Sequence, residues 1–451
     1  MQQYSAKSTI VEPAREVLVR KEADVVVVGG GPAGVAAAVA AARNGVETIL
    51  VERYGHLGGM ATGGLVTLIM PMSDGTNDQQ IAGICQEIVD RLDSVGAALH
   101  PAKEDLGSKD RKLITHWQQY PFFVVEGRVR LSVLVDPEML KCVLNDIIED
   151  SGITLLLHSW GSRAIVDGET VQGIIFESKS GRQAILAKVV IDATGDGDIF
   201  ASAGAEFDGK LDPALRSSKL ALVFQVANVN CKRLDKFKES RPQLYSEQMH
   251  ELEGLGGFIM HLRSGKEDVV WFNNFLPGLS AINAEDLTWV EVNARKKMRI
   301  TYDFFRKHIP GFEKSFIMNT ASQVGTRSSR RLIGEYIVTE NDIRSGTLYC
   351  DTIAVCPPFH HNVSEANPHM HIPYRSLVPR KVENLLAAGR CLSSDLFSND
   401  LLSPIQFCIA MGQAAGTAAA LSIKDNVPPR KVDYAVLKDR LIDQGVPLPK
   451  A

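Results

Sequence analysis

Asp24-Val-Val-Val-Val-Gly-Gly-Gly-Pro-Ala-Gly34 joins an apolar run to a glycine triplet. The valines show no alternation, which reads as a parallel strand buried on both faces. The run ends in Gly29-x-Gly31-x-x-Gly34, followed by an alanine-rich helix from Val35 to Arg43 and a second strand, Glu47 to Val51, ending at Glu52. In such a βαβ unit each part has a task. Gly29 permits the strand-to-helix turn, Gly31 lets backbone approach a pyrophosphate, and Gly34 lets the helix lie close on the sheet. The helix N-terminus offers free N–H groups and its positive dipole end to phosphate. Glu52 is placed to accept hydrogen bonds from a ribose diol. A glycine turn in some other α/β protein is the competing reading, but strand, helix, second strand and acid all occur in order, so dinucleotide binding is expected.

Outward from this unit, Arg53-Tyr-Gly-His-Leu-Gly-Gly-Met-Ala-Thr-Gly-Gly64 is a second glycine-rich loop, for which a nicotinamide-binding domain has no need. The 451 residues are 45% hydrophobic and 23% charged, enough for a large core and for two or three domains. A net charge of −4 without a long basic run argues against nucleic acid as a partner. No apolar stretch is long enough to span a membrane, and the first twenty residues lack the apolar core of a secretory signal, so a cytoplasmic location is expected. The seven cysteines are isolated and contain no Cys-x-x-Cys, so no redox disulfide or metal framework is indicated.

Further along, Ile81, Ile84, Ile88 and Leu92 share a helical face, residues 100–112 read as a polar loop, and Trp117 to Val125 reads as an aromatic strand. Asp136 and Pro137 are the N-cap and first residue of a helix running to about Asp150. A strand at 153–158, a meander with turns at Asp167-Gly168 and Ser180-Gly181, and a buried strand from Ala187 to Asp192 follow. The last strand ends in Ala193-Thr-Gly-Asp-Gly-Asp198. Residues 209–350 change texture, with a strand over Leu220–Ala227 and a helix over Trp289–His308 whose inner positions include Val292, the stems of Lys296 and Arg299, and Phe304. Val382 to Arg390 reads as a returning strand. Ile405 to Ile423 reads as a small-residue helix and Asp433 to Gly445 as a terminal amphipathic one. Gly412 and Gly416 in the small-residue helix suit tight helix packing. The N-terminus of that helix is also suited to stabilise negative charge.

Together the glycine triplet with Glu52, the Gly58-Gly59-Met60 loop, Val190–Asp198, Ser328–Tyr336, Ile372–Pro379, Asn384–Ser393 and Gly412–Gly416 resemble the bacterial FAD-dependent oxidoreductase family, a branch of the glutathione-reductase-type flavoproteins. The resemblance implies an α/β fold: a glutathione-reductase-type Rossmann-like FAD domain, parallel sheet plus β-meander, with an inserted α+β substrate domain. It places the FAD domain at residues 20–208 and 351–451 and the substrate domain at 209–350. FAD is the implied cofactor. The implied contacts are Gly29, Gly31, Pro32, Ala33, Gly34, Glu52 and Arg53; Gly58, Gly59, Met60, Ala61 and Thr62; Ala193, Thr194 and Gly195; Gly389, Arg390, Ile405 and Gln406. The resemblance implies an arginine, common in the family, where Gln406 stands, and a histidine, frequent there, near Asp395, and this chain departs from it at both positions.

Chemistry beyond the flavin is expected from two clusters. His360, His361, His369 and His371 lie within twelve residues. An imidazole titrates near neutral pH and suits a general base, and family position favours His361, with His360 and His371 next and Asp395 behind them. A His-x-His metal site lacks an obvious completing ligand set, and no metal is expected. Ordinary loop or packing histidines are the remaining reading. Arg327, Arg330 and Arg331 could hold a substrate carboxylate by a two-bond fork, or pair with Glu335 or Glu340. His56, beside the glycine loop, could attach FAD covalently.

The expected activity is hydride transfer from a small hydroxylated or carboxylated metabolite to flavin N5, as an FAD-dependent dehydrogenase or oxidase with an unidentified electron acceptor. A pyridine-nucleotide-fed reductase or monooxygenase, and a non-catalytic FAD-binding subunit, are the alternatives. A homo-oligomer is compatible with the sequence, which does not set the oligomeric state.

Overall fold

The computed structural model describes residues 10–449. The chain enters through β1 (Leu18–Val28), turns into α1 (Pro32–Arg43) and returns as β2 (Thr48–Val51). After the glycine loop come α2 (Ile84–Ser94) and α3 (Pro137–Asp150), then β3 (Thr154–Leu156) and the meander β4 (Trp160–Asp167), β5 (Thr170–Ser178) and β6 (Gly181–Asp192). The next region holds β7 (Lys219–Ala221), β8 (Phe224–Ala227), β9 (Val270–Phe272), β10 (Leu276–Pro277), α4 (Ala284–His308), β11 (Phe316–Thr320) and β12 (Gly325–Thr326). The chain then completes the main sheet with β13 (Leu385–Ala387) and ends in α5 (Leu396–Leu402), α6 (Ile405–Lys424) and α7 (Tyr434–Asp443).

The main sheet has seven strands, and its parallel part runs β3-β2-β1-β6-β13. Val25 to Val28 are at most 2% exposed, as an apolar run without alternation requires. Ala187–Asp192 does not form a separate strand. It is the second half of the twelve-residue β6, which changes partner along its length. Its first half pairs antiparallel with β5, Gly173 opposite Leu186, and its second half pairs parallel with β13, Val190 opposite Leu385. The Val382–Arg390 run contributes only three residues to the sheet, because Asn384 at φ +58° breaks the extended backbone before it.

Helices α1 and α6 cover one face of this sheet and are buried nearly all round. Their contact is close because both are lined by small residues. A Cβ at Gly412 would lie 2.0 Å from the Ala33 carbonyl oxygen, and one at Gly416 2.0 Å from that of Ala37. The two glycines, one helical turn apart, therefore serve packing. Asp136 caps α3 by accepting from the N–H groups of Glu138 and Met139.

A second hydrophobic cluster lies between β7 and β12, around Phe224, Trp271, Phe272, Phe305 and Phe312. Phe224 and Phe272 stack at 4.7 Å on facing strands. In α4 the inward face is Val290, Ala294, Met298, Thr301, Phe304 and Phe305. Of the positions expected inside, only Phe304 is buried. Val292 is 50% exposed, and Lys296 and Arg299 are exposed too. The neighbouring helical stripe packs inward instead, with Phe305 against Phe272 of β9 at 5.0 Å. The aromatic stretch also differs from expectation. Asp110 caps a short helix, Arg111–Trp117, and only Val124–Val125 is strand. Trp117 folds back onto Phe123 at 5.3 Å, and a small aromatic core replaces the expected strand. Among the described residues no helix is long and apolar enough to cross a membrane.

Candidate active site

The turn after β1 is built by sterics. A Cβ at Gly29, whose φ is +102°, would meet the Ala193 carbonyl oxygen at 2.4 Å, and one at Gly34 would meet the Gly29 carbonyl oxygen at 1.7 Å. A Cβ at Gly31 would meet nothing within 4 Å, because that side of the backbone opens onto a groove. The groove encloses about 890 Å³, counted with its open mouth, which is in the range of cofactor sites. From the list of expected contacts, Gly29, Gly31, Pro32, Ala33, Glu52, Arg53, Gly59, Met60, Ala193, Thr194, Gly195, Gly389, Arg390 and Ile405 line it. Segments more than 350 residues apart in sequence thus converge on one trough, with a turn that leaves Gly31 bare where a pyrophosphate would approach. These features fit a bound dinucleotide.

Five expected contacts stand behind the lining. Gly34 is pressed onto Gly29, and Gly58 would place a Cβ 2.5 Å from Thr62 Cγ2. Ala61 is buried in the core. Thr62 hydroxyl donates to the Leu57 carbonyl at 2.5 Å. Gln406 is fully buried, and its amide donates to the Met70 carbonyl. These residues shape the loop and the start of α6 without facing the groove.

Glu52 carries a second duty. Its Oε2 accepts from the Gly30 N–H at 2.6 Å and its Oε1 from the Tyr54 N–H at 2.7 Å. The carboxylate thereby ties the glycine turn to the end of β2, and each oxygen keeps a lone pair for a ribose hydroxyl. Replacing Glu52 by Ala is expected to weaken FAD binding about ten- to a hundredfold, since a hydrogen bond to a charged group contributes roughly 1.5–3 kcal/mol. Titration of apo-protein with FAD measures this, and normal binding would remove Glu52 from the cofactor site.

The Ala193-Thr-Gly turn is held by Asp192, which is fully buried. One of its oxygens accepts from the N–H and hydroxyl of Thr194, the other from the N–H groups of Ile199 and Phe200. Burial pushes its pKa up to about 6, against these hydrogen bonds. Asp196, 6% exposed, accepts from Ser329 Oγ at 2.6 Å and from Arg390 Nη1 at 2.9 Å. Burial opposes its charge, but Arg390 and Ser329 together hold its pKa below the ordinary value. Arg330 bonds Asp198 at 2.9 Å and the Asp196 carbonyl at 3.0 Å. The Ser328–Arg331 block is thus a clasp joining the Ala-Thr-Gly turn to Gly389-Arg390.

The groove also recruits residues not foreseen, among them Tyr54, Ser159, Trp160, Gly161, Asp198, Gln323 and Ser403. Arg53 lies over Tyr54 at 4.9 Å and Trp160 at 5.7 Å, an aromatic bracket at the Glu52 end. Trp160 opens β4, which pairs with β5 and lies at the other end of the sheet from β3; the Ser159 N–H donates to the Glu52 carbonyl at 2.9 Å and sets Trp160 beside Glu52, which no local motif announces. Gln323 also lines the groove, and its Oε1 is buried without a partner among the described residues. Ser403 and Ile405 bring the side-chain-uncapped N-terminus of the twenty-residue α6 to the groove. The positive dipole end there suits an electron-rich ring.

None of the expected catalytic residues lines the groove itself. Arg331 is corrected as a substrate anchor. Its side chain is 1% exposed and its guanidinium is committed to Asp208 at 2.7 Å, the Lys210 carbonyl and Ser328. Neither Arg330 nor Arg331 pairs with Glu335 or Glu340. His361 is exposed, with Nδ1 2.7 Å from Glu126 Oε1. The chain around it is pinned by the buried Arg130, which donates to the carbonyls of Ser73, Pro358 and His361. His369 pairs with Asp74 at 3.0 Å. His371 is half-buried with Nδ1 unpartnered, and burial pulls its pKa down to about 4. Among the described residues no group of three or more His, Cys, Asp or Glu is placed to hold a metal ion. His56 Nε2 reaches Ser322 Oγ at 3.4 Å and is not in the groove lining. His360 is exposed, 5.6 Å from the Phe122 ring, and Arg216 acts with burial to lower its pKa. Arg216 in turn bonds Asp400, and both influence Arg327. Of these, Arg216 and Asp400 are in direct contact, and none of His360, Arg216, Asp400 and Arg327 lines the groove.

The model of the family described as FAD dependent oxidoreductase matches residues 24–441. The chain belongs to that family. FAD is its cofactor, and its fold is the mixed α/β, Rossmann-like FAD-binding fold with a parallel sheet. A thiamine thiazole synthase of Methanococcus vannielii is 29% identical over 182 residues, 39% of this chain and 56% of that protein. The chain thus spans about half the length of this curated relative. Among solved structures, a geranylgeranyl bacteriochlorophyll reductase-like protein from Thermoplasma acidophilum is 15% identical, with a TM-score of 0.47 over 94% of this chain and 87% of that one. The p-nitrophenol 4-monooxygenase of Pseudomonas putida is 14% identical, with a TM-score of 0.47 over 94% and 84%. A myxobacterial chondrochloren halogenase is 12% identical, with a TM-score of 0.49 over 93% and 78%. Likeness at this level does not bear on the activity of this FAD-dependent oxidoreductase.

Proposed function

We propose that this oxidoreductase is a dehydrogenase or oxidase acting on a small hydroxylated or carboxylated metabolite. FAD, when bound, supplies the hydride acceptor. The residues lining the groove bind and orient it: the Gly29 turn and the α1 N-terminus at the pyrophosphate, Glu52 at the ribose, and the α6 N-terminus at the ring end. The observation that carries the reading is the groove itself, lined by the Gly29 turn, Glu52, the Ala193-Thr-Gly turn and the start of α6, with the Arg216–Asp400 pair outside it, Asp400 three residues before the lining residue Ser403. Residues 209–350, with the aromatic cluster around Phe224 and Phe272, act as the substrate domain, and residues 20–208 and 351–451 as the FAD domain.

His360 is the proposed base. Burial first, and Arg216 second, hold its pKa below the ordinary histidine value, so its imidazole is neutral near pH 7 and ready to take a proton from a substrate hydroxyl. Among the histidines it is the one coupled to Arg216, which is why it replaces His361 as first candidate.

A panel of hydroxylated and carboxylated metabolites, followed anaerobically for flavin bleaching, tests the activity. One of them should bleach the flavin, while rapid bleaching by NADH or NADPH would favour a pyridine-nucleotide-fed reductase or monooxygenase instead. A protein that is colourless and cannot be reconstituted with FAD would end the proposal. His360→Ala should keep its FAD and slow substrate-driven reduction by roughly 10²–10⁴-fold, the usual contribution of a positioned base. An unchanged rate would place the base elsewhere.

A further inference from the structure

Gln225 in β8 stands opposite Trp271 of β9 on one side and Asn319 of β11 on the other. Side chains directly opposite on neighbouring antiparallel strands point to the same face of a sheet, so these three form one row. The alternate positions, Phe224 and Phe272, turn the other way and stack in the aromatic core. Within the row Trp271 is satisfied, since its Nε1–H donates to the Leu65 carbonyl at 2.6 Å. The two amides are not. Gln225 is 3% exposed and Asn319 is half-buried, and Gln225 Oε1 and Asn319 Oδ1 are both buried with no hydrogen-bond partner among the described residues. A buried polar atom without a partner is costly, and two side by side call for a group from outside the chain.

Both amides line one cavity of about 840 Å³, counted with its open mouth, which is in the range of small-molecule sites. Thr67, Leu99 and Leu134 complete its wall, and Gly265 closes it on one side, where an added Cβ would lie 3.4 Å from Leu134 Cβ. It shares no lining residue with the cofactor groove. The charged groups of its lining are answered within the protein. Lys266 Nζ lies 2.6 Å from Asp136 Oδ2, and Lys141 Nζ lies 2.8 Å from Glu138 Oε1. What is left unanswered is the amide pair. A carboxamide carries a donor beside an acceptor, and rotation about its last side-chain bond exchanges the two. Two such groups on facing strands therefore match the edge of a molecule that itself carries a donor next to an acceptor.

We infer that Gln225 and Asn319 form a second binding site, for a small uncharged molecule with an amide-like edge, seated between the aromatic sheet and the chain around Thr67 and Leu134. An anion would meet Asp136 and Glu138 with both lysines already paired, and an apolar molecule would leave both amides unpaired. The site is independent of the activity proposed for the cofactor groove.

The test uses FAD-loaded protein with benzamide, with its charged isostere benzoate and with acetophenone, which keeps the acceptor and lacks the donor. Ligand-observed saturation-transfer NMR, flavin absorbance and melting temperature are followed in parallel. Benzamide should give a saturable NMR signal with no change in the flavin spectrum, and each control should bind at least roughly tenfold more weakly, the worth of one hydrogen bond left unmade. Gln225→Met and Asn319→Leu remove one amide each at nearly constant size. Each should weaken benzamide at least tenfold while the ligand-free protein melts no lower than the native one, because an unpaired buried polar atom is gone. The leucine variant stands in if the methionine variant does not fold. The inference is overturned if benzamide gives no saturable signal, if benzoate or acetophenone binds as tightly, or if both variants bind benzamide as the native protein does. A benzamide signal that changes the flavin spectrum and survives both substitutions would place the ligand in the groove. Variants that melt lower, with no benzamide binding to the native protein, would mean that water alone completes the amide pair; either result overturns the inference.

Discussion

Gly34→Ala is expected to destabilise the protein by about 3 kcal/mol, the upper part of the range for overpacking a close contact, and to lower its FAD affinity at least tenfold. The added methyl would sit 1.7 Å from the Gly29 carbonyl oxygen and 3.2 Å from Ala193 Cβ, and both neighbours directly follow sheet strands and are hydrogen-bonded to them through their N–H groups, Gly29 to Val51 and Ala193 to Val28, so neither can swing aside. Helix α1 must therefore withdraw. It is not free to do so, because the Ala33 and Ala37 carbonyls lie against Gly412 and Gly416 of α6, so the strain spreads into the most tightly packed helix pair of the molecule. Whatever withdrawal occurs also carries the helix N-terminus away from the pyrophosphate. Gly31→Ala separates the two effects. Its methyl meets no protein atom within 4 Å, so the apo-protein should unfold within about 0.5 kcal/mol of the native midpoint while FAD affinity falls. Denaturant unfolding of the apo-proteins and FAD titration give both numbers. A Gly34→Ala protein that folds and binds FAD normally would contradict the role assigned to the turn.

Asp196→Ala should cost about 3–5 kcal/mol, the usual penalty for leaving a buried charge without its partner. Arg390 is the stranded group, since Asp196 is its carboxylate partner at 2.9 Å and both side chains are largely buried. Ser329 loses its acceptor at the same time. The FAD content of the purified variant should drop as well, because Gly195, Gly389 and Arg390 all line the groove. A double-mutant cycle shows whether the penalty comes from the unpaired charge. Asp196→Ala combined with Arg390→Met should be less destabilised than Asp196→Ala alone, since the second change removes the isolated guanidinium. If the single variant unfolds within 1 kcal/mol of the native protein, as a surface substitution would, the clasp between the Ala-Thr-Gly turn and the Ser328–Arg331 block is not a structural tie.

Much of the cofactor site could be read along the chain because the features that make it are local. A strand, a glycine turn, a helix start and an acid at the next strand end are separated by few residues, and the contact that requires Gly34, with the Gly29 carbonyl, lies within the turn itself. The capping of α3 by Asp136 was legible for the same reason: the acceptor and its two N–H donors lie within three residues. The Ala193-Thr-Gly turn was recognisable as a small-residue strand end, although the carboxylate that holds it, Asp192, gained its role only when the Ile199 and Phe200 N–H groups folded over it.

Side chains whose meaning depends on a distant partner could not be read in this way. His361 and His360 are adjacent and chemically alike, yet one is tied to Glu126 and the other is coupled to Arg216. Arg327 and Arg331 stand four residues apart in one motif, and what commits Arg331 is Asp208, more than a hundred residues earlier. The inward face of α4 was set by the aromatic sheet it covers, so the apolar Val292 was left in solvent. The sequence by itself thus determined the βαβ unit, the family and the cofactor, because these rest on backbone sterics and hydrogen bonds between near neighbours. Only the tertiary structure decided which charges are already neutralised and which remain available to a substrate, because pairing and desolvation are properties of segments brought together by folding.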